Sequence, residues 1–324
     1  MSTPFQHKLA ELHRAKQVAP PTELGDGVFA IPVPLAGSPL RAIIVYAVRT
    51  SAGLVLIDAA YEHPVCWRSL NDSLRAIGHR VEEVVAVLLT HNHPDHVGLA
   101  EQIRDASGAE VVIHRRDDFT WQRQERDGFL GQLATVLDGT GVPAEQRAEM
   151  FEAAKSVAVH REALVPDRLL VEPITELAFG DVTLRAVHAP GHTYGHTVYL
   201  HPAGYVFTGD TLMPEGPVQL ALAPLRGDDP VGDLLGTLAT IGGLGAAVAC
   251  PAHQYPFLDV EARCRELAAH HSAEQEQARR LSTAHLDAWG VAPHLSWAKP
   301  WDRMGVSTRR FALVHTHALL QPLP

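Results

Sequence analysis

Cysteine is scarce in this chain of 324 residues: only Cys66, Cys250 and Cys264 occur. None stands at a spacing that suits a disulfide framework or a zinc ribbon. A reducing, cytoplasmic setting is therefore expected. Long apolar runs are missing too. No stretch of about 18 or more apolar residues marks a membrane span. The first residues, Met1 to Val18, interleave His7, Lys8, Glu11, His13, Arg14 and Lys16 with apolar positions, unlike the continuous apolar core of an export signal. Positive charge is in deficit, 27 Lys and Arg against 37 Asp and Glu, for a net charge of -10. A general nucleic-acid binder needs a basic face to displace counterions. Neither a nucleic-acid nor a membrane partner is expected. Solenoid repeats and low-complexity tracts are absent as well. What the chain has is 46% hydrophobic residues, enough for a sizeable core, and 20 histidines.

The histidines are unevenly placed. Thr90-His91-Asn92-His93-Pro94-Asp95-His96-Val97-Gly98 packs three imidazoles and a carboxylate into six residues. It follows directly on Val84 to Leu89, an apolar run that reads as a buried strand. No packing demand calls for three imidazoles at the end of a core strand, whereas imidazole and carboxylate are the usual protein ligands of zinc and related ions. The same layout, an apolar strand and then a metal-capable side chain, recurs three times. Leu184–Val187 precedes Pro190-Gly191-His192-Thr193, Tyr205-Val206-Phe207 precedes Thr208-Gly209-Asp210, and Ala246–Ala249 precedes Cys250-Pro251-Ala252-His253. Strand ends along one sheet edge lie close in space, so all four can converge. Five histidines and two aspartates are a natural set for two metals that share a carboxylate.

The rest of the chain falls into segments. Residues 1–24 read as a short helix and a joint at Pro20-Pro21. Strands are expected at 28–31, 42–48 and 54–57, with turns at Gly37-Ser38-Pro39 and Ser51-Ala52-Gly53. Trp67, Leu70, Leu74 and Ile77 share one helix face ended by Gly78, and a second helix carries Leu99, Ile103 and Ala106 up to Gly108. Val111–Ile113 is a further strand. Residues 117–165 change character and suggest two or three helices around Gly139-Thr140-Gly141-Val142-Pro143, an insertion suited to a substrate lid. Strands return at 169–171, 174–179, 182–187, 197–200 and 205–207. Asp229-Pro230 starts a helix whose buried face is Leu234, Leu235, Leu238 and Ile241. Residues 259–324 form a polar, helical appendage. The body of the domain thus spans 25–258.

These motifs resemble the metallo-β-lactamase superfamily of hydrolases. His91-Asn92-His93-Pro94-Asp95-His96 matches its HxHxDH signature, Pro190-Gly191-His192-Thr193 its PGHT element and Thr208-Gly209-Asp210 its (S/T)GD element. Asp58 matches the early aspartate that supports the site. The last histidine of that family stands in a Pro-Gly-His context, where this chain has Pro251-Ala252-His253. The resemblance implies an α+β fold, the four-layer αββα sandwich. It implies that His91, His93 and His192 bind a first metal, that Asp95, His96 and His253 bind a second, and that Asp210 bridges. Two zinc ions per chain are the expected cofactor, with iron or manganese as alternatives. The helical insertion and C-terminal segment resemble a branch with a small helical or winged-helix-like appendage, which would hold Arg309-Arg310-Phe311-Ala312 through His315.

The reaction implied is hydrolysis of a thioester or lactone by a metal-bridging hydroxide, with Asp95 as the catalytic residue that orients the nucleophile and shuttles a proton. The substrate is a small-molecule or carrier-linked acyl compound; the motifs specify neither the acyl group nor the oligomeric state. Alternatives on the same scaffold are a mononuclear iron persulfide dioxygenase, a phosphodiester hydrolase and an inactive binding protein. An exported antibiotic lactamase would need an export signal, and a flavin-linked di-iron reductase would carry a glutamate in place of His93. The other histidines have plainer readings. His188 and His196 flank the PGHT turn as packing or supporting groups, one of them in hydrogen-bond contact with a ligand. His201 is a surface turn residue, while His270, His271, His315 and His317 are solvated. Tyr194 is a packed tyrosine.

Overall fold

Alternating apolar residues resolve into two sheets. In this computed structural model, residues 4–35, 40–158, 164–284 and 287–321 are described; the turn expected at Gly37-Ser38-Pro39 lies outside them. Helix α1 (Pro4–Arg14) leads into strands β1 (Thr22–Gly25), β2 (Val28–Pro34), β3 (Ala42–Thr50) and β4 (Gly53–Ile57), an antiparallel meander. Helix α2 (Pro64–Ala76) then crosses over to β5 (Val84–Leu88), parallel to β4. The short α3 (Pro94–Val97) and α4 (Ala100–Ser107) lead to β6 (Glu110–His114), also parallel. Helices α5 (Phe119–Arg126), α6 (Gly128–Asp138) and α7 (Ala144–Ala158) form the insertion, three helices with the expected break before the last. The chain returns as β7 (Arg168–Leu170), the far edge of a seven-stranded sheet ordered β1 to β7.

The second sheet has five strands: β8 (Ile174–Phe179), β9 (Val182–His188), β10 (Thr197–Leu200), β11 (Tyr205–Gly209) and, after α8 (Pro230–Gly243), the parallel β12 (Val248–Pro251). Helices α9 (Val260–Ser282), α10 (Ala288–Val291) and α11 (Val306–Leu319) complete the chain. Two boundaries differ from expectation. Thr208 and Gly209 belong to β11 itself, and β12 starts two residues later than the apolar run, because its partner is β11 and Gly209 pairs with Pro251.

Strand β3 shows why the layers form. Ile43, Val45 and Ala47 point to one face, where they join Leu70 and Leu74 of α2 and Ile103 of α4. Ile44, Tyr46 and Val48 point to the other and pack between the sheets with Leu184, Tyr199 and Phe207. The outer face of the second sheet, Val198 and Val206, packs against Leu234 and Leu238 of α8 and Cys264 and Leu267 of α9. Helix, sheet, sheet and helix follow in that order, the αββα sandwich. Each fully buried leucine adds about 1.5–3 kcal/mol over an exposed one. Of the expected face of α4, Leu99 and Ile103 are buried while Ala106 is exposed; Ala100 takes its place on the apolar side. Gly78 and Gly108 end α2 and α4 at φ 84° and 76°, the left-handed region that favours glycine. Among the described residues no helix is long and apolar enough to cross a membrane.

The C-terminal segment contains no strand among its described residues, so it is helical and not winged. It is also less polar in place than in sequence. Leu313 and Val314 of α11 share a cluster with Leu133, Val136 and Leu137 of α6 and Met150 of α7. The insertion and the C-terminal helices form one layer beside the strand ends.

Candidate metal centre

The four strand ends do meet. The chain leaves β5 through Thr90 to Asn92, and Pro94 opens α3 at its first turn, presenting Asp95 and His96. His192 comes from the turn between β9 and β10, Asp210 follows β11 directly, and His253 lies two residues past β12. The ligand-capable atoms of His91, His93, His192 and Asp210 lie within 4.8 Å of one another, and those of Asp95, His96 and His253 form a second such group. Asp210 faces both. Its Oδ2 is 3.7 Å from His192 Nε2, and its Oδ1 is 3.6 Å from His96 Nε2 and 3.5 Å from His253 Nε2.

Three of the histidines are oriented by a carboxylate or backbone carbonyl oxygen on the far side of the ring. His96 Nδ1 donates to Asp58 Oδ2 at 2.8 Å, His192 Nδ1 to the Gln219 carbonyl at 2.7 Å and His253 Nδ1 to the Ala42 carbonyl at 2.9 Å. Carboxylate and carbonyl oxygens only accept here, so each of these rings carries a proton on Nδ1 and turns Nε2 toward the site. His93 Nδ1 lies 3.1 Å from His192 Nε2. The Ala252 that replaces the family's glycine is buried, with its N–H on the Gly209 carbonyl and its own carbonyl accepting from Ile44. It therefore leaves His253 aimed inward.

Two motif glycines have steric causes. Gly191 has φ 130°, and a Cβ there would lie 2.7 Å from the Leu234 Cα of α8. Gly209 has φ 51°, and a Cβ would meet His196 Nε2 at 2.6 Å. Asp58, also in the left-handed region at φ 64°, is held by Thr90, whose N–H donates to Oδ1 at 2.8 Å and whose hydroxyl reaches both oxygens at 3.0 Å.

The residues fit a cation. His91 Nε2, His96 Nε2, His253 Nε2 and Asp210 Oδ1 are buried and lack hydrogen-bond partners. A buried polar atom without a partner costs about 1–3 kcal/mol, and these four belong to the two convergent groups. Burial, followed by the neighbouring His96, His93 and His192, pushes the His91 imidazole well below its ordinary range, which keeps it neutral and able to ligate. Burial alone would also lower His96, but the carboxylates of Asp58, Asp210 and Asp95 outweigh it and raise that ring to about 10. Burial would raise Asp95; His96 and His253 outweigh it and hold the carboxyl low. The second group therefore sits in a strongly negative field, which a cation would satisfy.

Several supports carry no motif. Asp117, fully buried, accepts from Thr193 Oγ1 at 2.5 Å and from the Gly195 N–H at 2.8 Å, and so braces the PGHT turn. It lies just past β6, the layout of the other four strand ends, and that signal could have found it. Of the two flanking histidines, His196 touches a candidate ligand: its Nε2 accepts from the Asp210 N–H at 3.2 Å, while its Nδ1 pairs with Thr211 Oγ1 at 3.0 Å. His188 instead stacks on His114 at 4.1 Å. Tyr194 is packed as expected, its hydroxyl on the Leu222 carbonyl and Arg126 4.0 Å above its ring. Four histidine readings are corrected. His201 is in a turn but buried, with Nδ1 accepting from Ala203 N–H. His271 and His315 are buried around Glu274, and His317 reaches the Ala223 carbonyl at 3.2 Å. Only His270 of that set is exposed.

A cavity of about 500 Å3 opens over the candidate ligands and is lined by His93, Asp95, His192, Asp210 and His253. A second, of about 210 Å3, adjoins it at His93 and His192 and runs under Phe119, Phe129 and Leu133 of the insertion.

A family model described as the metallo-beta-lactamase superfamily matches residues 40–253. A probable metallo-hydrolase of Bacillus subtilis is 27% identical over 272 residues, 79% of this chain and 80% of that protein. A hydroxyacylglutathione hydrolase of Haemophilus influenzae is 30% identical over 143 residues, 42% of this chain; the match spans 56% of that relative's length. The crystal structure of a metallo-beta-lactamase family protein from Thermus thermophilus superposes with a TM-score of 0.76 at 27% identity, covering 92% of this chain and 93% of the other.

Proposed function

The chain belongs to the metallo-beta-lactamase superfamily and is a metallo-hydrolase, and from that premise we propose that it cleaves a thioester or a lactone at two divalent ions, zinc by preference. His91, His93 and His192 would hold the first, Asp95, His96 and His253 the second, and Asp210 would serve both. The observation that carries this reading is the carboxylate of Asp210, with Oδ2 toward the first group and Oδ1 toward the second. The Haemophilus relative supports the thioester half, since hydroxyacylglutathione hydrolases release an acyl group from a thiol carrier.

Ions bound there would lower the pKa of water and polarise the acyl carbonyl. The protein's own residues supply position and proton traffic. Asp95 has a carboxylate that is one-fifth exposed and lines the larger cavity, 3.4 Å from His253 Nε2. It would accept a hydrogen bond from the attacking water and pass that proton to the leaving thiolate or alkoxide. Asp58, Gln219 and Ala42 keep the ligand rings from turning. The two cavities offer room for an acyl chain and its carrier on either side of the cleaved bond.

Metal analysis of natively purified protein, alongside a panel of thioesters and lactones, tests this. About two zinc ions per chain are expected, with turnover lost on chelation and restored by zinc. One iron per chain without hydrolysis, or full turnover in metal-free protein, would overturn it.

A further inference from the structure

The smaller cavity contains an unexplained cation. Ser307, Arg310, Phe311 and Val314 line it from one face of α11, at i, i+3, i+4 and i+7. Arg310 is only 5% exposed, yet among the described residues no carboxylate pairs with it, and its Nη1 is buried without a hydrogen-bond partner. Its guanidinium carbon lies 4.9 Å from the centre of the Phe311 ring. A cation–π contact offsets only part of what desolvating an ion costs. A partly buried arginine nearby behaves differently: Arg126 pairs with Asp228 at 2.7 Å. Among the described residues no Asp or Glu lines the cavity. In a chain of net charge -10, such a pocket is a local inversion of sign.

We propose that this cavity is an anion subsite, in which Arg310 receives a carboxylate or phosphate carried by the acyl substrate at the end remote from the cleaved bond. The assignment deepens the thioester and lactone reading and rests on it for the bond that is cut. The apolar walls, Phe119, Phe129, Leu133 and Val314, would take the linking carbon chain. The fork of the guanidinium suits either anion. The two sources differ in where the charge rides: a carboxylate on the acyl end, or a phosphate on the thiol carrier.

The test uses full-length metal-loaded enzyme and matched thioesters. One pair differs by a terminal acyl carboxylate on the same short thiol carrier; the other differs by a phosphate on the carrier with the same neutral acyl group. In one pair the wild type is expected to favour the charged member about tenfold or more in kcat/KM, and that pair identifies the source. Arg310→Met should bring the ratio to about one, and Arg310→Lys should keep part of it. No preference in either pair, or a ratio unchanged in Arg310→Met, overturns the subsite. If no thioester or lactone is cleaved, the reaction assignment fails, and the subsite is read separately from thermal shifts with succinate and inorganic phosphate. Larger shifts for wild type than for Arg310→Met support it, and equal shifts sink it. Arg310→Met should also melt no lower than wild type without ligand, since it removes an unpaired buried charge; a lower melting temperature would mark Arg310 as a structural residue instead.

Discussion

Asp58 shows how much of this site depends on a residue that touches no reacting atom. Its carboxylate fixes His96 Nδ1 and ties down Thr90 at the entrance to the histidine-rich stretch. Asp58→Asn keeps the shape but presents an amide N–H to His96, which favours the wrong tautomer. A loss of about 10–100-fold in metal affinity or in kcat/KM is expected, read by chelator competition; affinity within about twofold of wild type would refute the role. A second residue-scale expectation concerns pH. Burial, followed by His188 and the arginines at 115 and 116, lowers His114 to about 3, against about 6.5 in an unfolded chain. Below pH 6.5 the unfolded chain takes up this proton and the folded protein does not. The stability that His114 contributes is therefore complete above pH 6.5 and is lost as pH falls toward 3. His114→Asn should lose less melting temperature than wild type between pH 7 and pH 4.5. Parallel melting curves would show that His114 titrates normally. The candidate ligand histidines and aspartates stood out in the sequence because side-chain type and spacing record them. Their carbonyl partners at Ala42 and Gln219 were not, since every residue has a carbonyl and only the folded path aims it.

The segment from Val218 to Leu222 is the element that connects α11 to the metal centre. Gln219 orients His192, and the N–H groups on either side of it are received by histidines of the C-terminal helices: Val218 donates to His271 Nε2 at 3.1 Å and Leu220 to His315 Nδ1 at 3.4 Å. The Glu274 carboxylate pairs with both rings. Burial would raise it, but His271 and His315 outweigh that and hold it well below the usual carboxylate range. His315→Ala would leave a buried carboxylate and a backbone N–H short of partners, at a cost of about 1–3 kcal/mol in chemical denaturation. Because Gln219 loosens with it, metal bound at the His91, His93 and His192 group should also exchange faster. His315→Gln should recover part of both. Stability and exchange rate both equal to wild type would refute the link. Reading α9 and α11 as polar and solvated failed here for a physical reason. Their histidines are buried by a loop 53 to 95 residues away in sequence, and the helical period carries no trace of that partner. The strands fared better because β3 and β5 are apolar on both faces, the pattern that two-sided burial leaves in a sequence.

At the scale of the whole molecule, the boundary expected at residue 258 separates elements that share cores. Val260, Cys264 and Leu267 of α9 pack in the same cluster as Val198 of β10 and Val206 of β11. Leu313 and Val314 of α11 pack with Leu133 and Leu137 of the insertion, which also walls the smaller cavity. Removing the C-terminal segment would strip one side from the second sheet and one side from the insertion at once. A chain ending at residue 258 should therefore expose two large apolar faces and fail to accumulate in soluble form. The intact protein, by the same argument, should unfold in a single calorimetric transition whose midpoint rises with bound metal. The rise should be seen by a fluorescence probe among Trp289, Trp297 and Trp301 as well as by the catalytic core, because Trp289 and Trp301 pack against the α6 and α11 cluster and Trp297 against the α8 and α9 cluster. Two separated transitions, or a tryptophan signal blind to metal, would show that the C-terminal helices are an independent domain and that the cavity they enclose opens without cost to the sandwich.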